Sequence, residues 1–76
     1  MNKERRASIE EALNLLGQAA QIIADAKDEE QSAYENLSEG LQQTERGQRM
    51  ESAAYTLDNA LNSVESAIIE VEEAIE

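Results

Sequence analysis

The carboxylates are the groups in this chain that could do chemistry, because they outnumber every other reactive side chain. The sequence contains 17 Asp and Glu residues against 6 Lys and Arg residues, with no histidine and no cysteine. A Mg²⁺ or Ca²⁺ site would use oxygen ligands, and the densest acidic run is Asp28, Glu29 and Glu30. That run lacks the glycine and the alternating ligands of a calcium-binding loop. We therefore interpret it as solvated surface and predict neither a metal site nor a cofactor.

Serine-based catalysis is the other chemistry to consider. A serine nucleophile needs a general base, commonly histidine, and a glycine-framed turn that presents the hydroxyl. The sequence offers neither, and Gly40 and Gly47 lack the lysine and the spacing of a phosphate-binding loop. We predict that the protein is not an enzyme and that its function is binding or assembly.

Apolar residues with helical spacing indicate the elements that position these side chains. In the second half they recur at alternating steps of four and three, which is typical of the contact face of a coiled coil. The first half repeats the rhythm, and alanine also recurs every seven residues in both halves. The contact stripes, called the seam below, are Ile9, Leu13, Leu16, Ala20, Ile23 and Met50, Ala54, Leu57, Leu61, Val64, Ile68, Val71, Ile75. The alanine series are Ala12, Ala19, Ala26, Ala33 and Ala53, Ala60, Ala67, Ala74.

These patterns predict an all-α fold: an antiparallel two-helix hairpin with an alanine-rich heptad seam. We expect one domain over residues 1–76, with a first helix at about 4–36, a link at about 37–44 and a second helix at about 45–74. In that register Ile9 lies opposite Ile75, and Ile23 lies opposite Leu61.

The link carries its own signals. Ser38 and Thr44 are each followed by glutamate, so each is a predicted N-cap with an acidic first turn. We expect one helical turn around Leu41 and expect Gly40 and Gly47 to loosen the segment. Gly17 is predicted to be a tolerated surface glycine in the first helix.

The central stretch DEEQSAYENLSEGLQQTERGQRMESA resembles a group of small uncharacterised acidic helical proteins encoded by bacteriophages and prophages. In that group proline commonly follows the Asn-Leu pair, where this chain has Ser38. The resemblance implies a phage or prophage origin and carries over no activity or binding residue. The matching residues are Asp28, Glu29, Glu30, Gln31, Ala33, Tyr34, Asn36, Leu37, Glu39, Leu41, Gln42, Glu45, Arg46, Gly47 and Met50.

Negative charge is concentrated on the second helix. The net charge is −11, and no basic residue follows Arg49. One flank of the helix carries an acid every seven residues, and these four residues are called the acidic face: Glu51, Asp58, Glu65 and Glu72. This balance argues against nucleic acid as a ligand, because phosphate binding requires bases.

An acidic face permits two interpretations. It could mimic nucleic acid, although its step of ~10 Å is wider than the phosphate spacing of a DNA strand. Alternatively, heptad flanks are simply where solubilising acids lie. Antiparallel packing is predicted to set Lys27 near Asp58 and Arg49 near Glu35. It also brings the bases at the start of the chain, Lys3, Arg5 and Arg6, beside Glu72, Glu73 and Glu76.

Two apolar residues lie beside the seam of the first helix. Leu15 and Ile22 are seven residues apart and widen the apolar stripe, so we predict that they form an oligomer interface. A chain of this size has a small core, and a dimer forming a four-helix bundle would enlarge it. Tyr55 and Ile69 are expected on the outer face of the second helix.

Two functions from different classes remain open at this point. The first is a small acidic phage-type factor that binds an unknown host or phage protein with a basic surface, as an inhibitor of a defence or nucleic-acid-processing protein. The alternative is a structural element or scaffold component that assembles with itself. No apolar run reaches the roughly 20 residues of a membrane span, and Glu10 and Glu11 interrupt any signal-peptide pattern. We therefore predict a cytoplasmic location, in the bacterial host cell if the origin is a phage, and no membrane partner.

Overall fold

The protein is a helical hairpin. The computed structural model describes residues 1–76 and contains α1 (Lys3–Glu35), α2 (Glu39–Gln42) and α3 (Glu45–Ala74), with no strand. The long helices α1 and α3 pack against each other, and the short α2 contacts the start of α3. The predicted all-helical class and the hairpin are confirmed.

Polar caps explain where the helices begin. The Ser38 hydroxyl accepts a hydrogen bond from the N–H of Leu41 at 3.3 Å, and the Thr44 hydroxyl accepts one from the N–H of Gly47 at 3.2 Å. Asn2 caps α1 in the same way. Each side chain satisfies a backbone donor that has no partner inside the helix. The two caps predicted in the link are therefore confirmed, and the turn expected around Leu41 is α2.

Gly47 does not loosen the link, and that expectation was wrong. The residue is buried in the first turn of α3, where α3 passes close to the backbone of α2. A Cβ atom at this position would lie 2.5 Å from the Leu41 carbonyl oxygen and 2.6 Å from the Gln42 carbonyl oxygen. Gly47 is needed because nothing larger than hydrogen fits there. A Cβ atom at Gly17 or Gly40 would meet open space, as predicted for Gly17.

The seam is shallow because two helices alone cannot enclose it. Its only buried apolar residue is Ala54, at 3% exposure. The remaining seam residues are half-buried, from Ile9 to Ile23 in α1 and from Met50 to Ile75 in α3. In α1 the stripe then continues with the half-buried Lys27, Glu30 and Tyr34, which leaves it more polar near the link than near the chain ends.

Most of the heptad alanines lie outside the seam, contrary to the predicted alanine-rich packing. Ala19 and Ala67 are half-buried, and the other members of both series are exposed. The reason is geometric: each alanine directly precedes a seam residue, so its Cβ atom points about 100° away around the helix axis. The alanines that do lie in the seam are Ala20 and Ala54.

The hairpin is a thin rod. Its principal extents are 58 × 15 × 14 Å, and its radius of gyration is 17.2 Å. A compact chain of this length would have a radius of gyration of about 11 Å. Most side chains therefore remain accessible in a single copy. No helix has the length and apolar character needed to cross a bilayer.

Candidate protein-binding surfaces

The acidic face is displayed along one flank of α3. Glu51, Glu65 and Glu72 are exposed, and the Asp58 side chain retains 50% of its accessible surface. The first three form no ion pair within the hairpin. The heptad spacing keeps the four carboxylates on the same side of one continuous helix. The face is therefore an extended row of negative charge.

Lys27 is the basic residue that contacts this row. Its Nζ atom lies 3.5 Å from the Asp58 carboxylate on α3 and 3.5 Å from the Asp28 carboxylate beside it on α1. The adjacent Asp28 charge is the main cause that raises the pKa of Lys27, with a further contribution from Asp58. The contact predicted between Lys27 and Asp58 is confirmed, and with it the antiparallel register.

Tyr34 meets the first residue of the acidic face. The Glu51 carboxylate on α3 raises the pKa of the Tyr34 hydroxyl, first as a potential hydrogen-bond acceptor and then, after burial, through its charge. Sequence reasoning missed this pair. The available signal was the spacing of Tyr34, which follows Lys27 by seven residues and therefore occupies the same position on the face of α1.

An open groove lies between the arms where these contacts occur. Lys27 and Gln31 line it from α1, and Glu51, Tyr55 and Asp58 line it from α3. The Tyr55 ring stands 70% exposed at the rim. The groove thus places one aromatic ring beside carboxylates, a combination that suits a cationic side chain.

The other contacts predicted for basic residues are met in part: the start of the chain lies beside the C-terminal turn, but Arg49 does not pair with Glu35. Arg49 binds Glu45 within α3, with Nη2 and Oε1 2.5 Å apart, rather than Glu35 across the hairpin. The guanidinium of Arg6 donates a hydrogen bond to the backbone carbonyl of Ile75, and no ion pair joins the start of the chain to the C-terminal acids. Glu45 lies four residues before Arg49 on the same helix, a spacing at which opposite charges are neighbours, so Arg49 pairs locally.

The opposite side of the hairpin is different in character. Because Gln31 of α1 lines the same groove as Glu51 and Asp58, the Gln31 flank of α1 and the acidic face share one side of the seam, and both alanine series lie on the other side. Leu15 and Ile22 stand among the alanines of α1 at 58% and 68% exposure. We call the two alanine series together with Leu15 and Ile22 the alanine face.

Neither face gathers the ligands of a metal ion, since no group of three or more acidic side chains converges in the structure. The geometry describes two contact surfaces of opposite kind, one charged and one made of small apolar side chains. No protein-family model, no curated protein and no solved structure matches this chain.

Proposed function

We propose that this chain is a small protein-binding factor whose acidic face docks onto a basic surface of a partner protein. The observation that supports this is the scarcity of bases beside the row: Glu51, Glu65 and Glu72 are exposed without an ion-pair partner, and Asp58 alone meets a base. A lysine- or arginine-rich surface would supply the missing partners along the whole row.

The placement of the charge supports the same proposal. The last turn of α3 contains no basic residue, so its acids oppose the negative end of the helix dipole. Like charges on one helix face also repel each other. This arrangement costs stability in the isolated hairpin, and a basic partner would relieve the cost. A partner would also be steered toward the row at low ionic strength.

The partner class that fits best is a nucleic-acid-processing or defence protein of a bacterial host, bound by a phage-encoded inhibitor. Proteins of that kind present basic surfaces that bind phosphates. The acidic face would then occupy such a surface in place of nucleic acid. The test of mimicry is competition: excess duplex DNA should displace the hairpin from its partner.

The decisive experiment neutralises the row. Glu51, Asp58, Glu65 and Glu72 are all changed to glutamine, and the partner is first captured from host lysate with the unmodified protein. We expect association with the purified partner to become slower and its salt dependence flatter, while dissociation changes less. Stopped-flow or surface-based kinetics at several salt concentrations measure both quantities.

A matched control removes the same amount of charge elsewhere. Glu11, Asp25, Glu70 and Glu73 are all exposed and lie outside the acidic face, so changing these four to neutral amides alters net charge equally. If the control variant and the acidic-face variant slow association equally, only net charge matters. If neither variant changes the rate, the acids merely keep the protein soluble and the proposal fails.

We also propose that the working form is a dimer of hairpins, a four-helix bundle. The exposure of Leu15 and Ile22 and the shallow seam support association with a second copy. The alternative function, a self-assembling structural element, is favoured by the same exposed residues together with the rod shape. Sedimentation distinguishes the two: a binding factor should stop at the dimer, whereas a scaffold component should grow into larger species as concentration rises.

A further inference from the structure

We infer that the alanine face is the surface on which the second copy of this chain packs, so that both acidic faces of the dimer point outward. The inference rests on the dimer proposed above but not on any role of the acidic face. Its basis is the surface area of the hairpin, the distribution of charge between its two sides, and the size of the side chains on the alanine face.

The hairpin exposes more surface than an ordinary monomer of the same mass. A folded chain of 8.4 kDa should expose about 4,600 Å², whereas the hairpin exposes 5609 Å². The excess is roughly 1,000 Å², and a stable interface of standard size buries about 800 Å² on each partner. One face-to-face contact with an identical copy therefore brings the exposed surface of each chain to the value of a compact protein.

The distribution of charge determines which face can contact a second copy. The chain carries a net charge of −11, so two copies repel unless they meet where charge is absent. On the alanine face, Leu15 and Ile22 lie between the alanines of α1, and the equivalent positions in α3 are Thr56 and Ser63. No charged residue interrupts this central part of either series. The acidic face offers the opposite condition, because pairing it with itself would align like charges.

The side chains on the alanine face suit close packing of helices. Alanine allows helix axes to approach to the short end of the usual 8–10 Å range. Leu15 and Ile22 are the large apolar side chains on this face, and the equivalent positions of α3 carry the smaller Thr56 and Ser63, so the face offers both projections and room for them. A two-fold axis would use the same patch on both copies, as most homodimers do.

This arrangement has a consequence for binding. With the alanine faces joined, the two acidic faces lie on opposite outer surfaces of the bundle. One dimer could then engage two basic surfaces, and a partner with two such surfaces would be held more tightly through effective concentration.

The test replaces exposed apolar residues on each side by the same residue type. Leu15→Gln with Ile22→Gln alters the alanine face, and Tyr55→Gln with Ile69→Gln is the matched control on the other side, where the two residues are 70% and 56% exposed. By sedimentation equilibrium, the unmodified chain should show twice its 8.4 kDa mass. The first pair should raise the dimer dissociation constant on the order of 10-fold or more, and the control pair should leave it unchanged.

A second measurement covers the case in which a double variant fails to fold. The chain has no cysteine, so a single Ala60→Cys substitution reports on the alanine face, and Asn62→Cys reports on the acidic side between Asp58 and Glu65. The thiol at position 60 should react more slowly with a maleimide as protein concentration rises, while the thiol at position 62 should react at a constant rate.

Three results would overturn the inference. The first is a monomeric mass for the unmodified chain at concentrations up to about 100 µM. The chain would also remain monomeric if the alanine face bound a different protein instead of a second copy. The second is an equal rise in the dimer dissociation constant for both double variants. The third is protection of the thiol at position 62 instead of the thiol at position 60.

Discussion

The link end of the hairpin and its long arms are held together by different kinds of contact. At the link, side chains bind backbone: Gln42 donates to the Tyr34 carbonyl at 3.2 Å, and Gln48 donates to the Gln42 carbonyl at 2.9 Å. The Thr44 hydroxyl also donates to the Leu41 carbonyl at 2.6 Å. These bonds fix the backbone itself, so a single residue can decide the geometry.

Along the arms the contacts are numerous and individually weak. Most seam residues remain half-buried, and the cross-hairpin polar contacts are few, with Lys27 and Asp58 as the ion pair. An exposed pair of this kind contributes about 0 to 1 kcal/mol. The arms are therefore specified by a repeated pattern of weak contacts, whereas the link is specified by the close fit of a few residues. Substitutions should therefore have large effects at the link and graded effects along the arms.

The largest expected effect is at the link. Gly47→Ala places a Cβ atom within 2.5 to 2.8 Å of backbone atoms of Leu41 and Gln42, and backbone cannot move aside as a flexible side chain can. We expect a loss of about 3 kcal/mol in the free energy of unfolding. Urea denaturation followed by circular dichroism at one fixed protein concentration measures it.

Gly40→Ala is the matched control, because its new methyl group would meet open space in α2. It should be neutral or slightly stabilising. Equal destabilisation by both changes would mean that the link responds to any loss of glycine, and the close approach at Gly47 would have no special role.

The next effect concerns the seam. Ala54→Leu adds bulk at the most buried apolar position and should destabilise the hairpin by about 1 to 3 kcal/mol. Ala7→Leu makes the same change at an exposed position of α1 and should be tolerated. If thermal melts show both variants to be equally stable, the arms tolerate overpacking and the seam is looser than its burial indicates.

A stabilising change should be available in α1. Gly17 lies within α1 and outside the seam, and a Cβ atom at this position would have no neighbour within 4 Å. Gly17→Ala should therefore raise the free energy of unfolding by about 1 kcal/mol, because alanine restricts the unfolded chain and favours the helix. A lower melting temperature for this variant would show that Gly17 makes a contact outside the single hairpin.

Local, periodic signals made much of this fold predictable. The seam period predicted two long helices, hydroxyls followed by glutamate predicted the caps at Ser38 and Thr44, and the antiparallel register predicted the contact of Lys27 with Asp58. Each of these features depends on residues close in sequence or on a repeat that many residues share.

Most of the features that the sequence did not predict depend on how closely separate segments approach each other in the folded chain. The alanine series are the exception, because each alanine directly precedes a position of the contact stripe and the spacing alone places it on the flank. The buried position of Gly47 depends on how α3 leaves α2. Arg49 pairs with Glu45 on its own helix, while Glu35, the predicted partner, accepts a hydrogen bond from Gln31.

The smallest expected effect is a change in stability with pH. Its measurement tests whether the contact between Tyr34 and the acidic face stabilises the arms near the link. The Glu51 carboxylate favours the protonated phenol of Tyr34 and so raises its pKa. A group whose pKa is raised on folding contributes stability below the unfolded value, about pH 10 for tyrosine, and loses it as pH rises through the folded value. The pKa of Lys27 is raised as well, chiefly by Asp28, so its contribution is lost as pH rises through its own folded value.

The melting temperature of the unmodified protein should therefore fall as pH rises above about 10. Tyr34→Phe removes the titrating phenol, so the variant should start from a slightly lower melting temperature at neutral pH and show a shallower alkaline decline. Tyr55→Phe is the control, since its ring is 70% exposed at the groove rim and the change should leave the profile unaltered. Identical slopes for the two variants across this range would mean that the pairing of Tyr34 with Glu51 does not stabilise the folded arms.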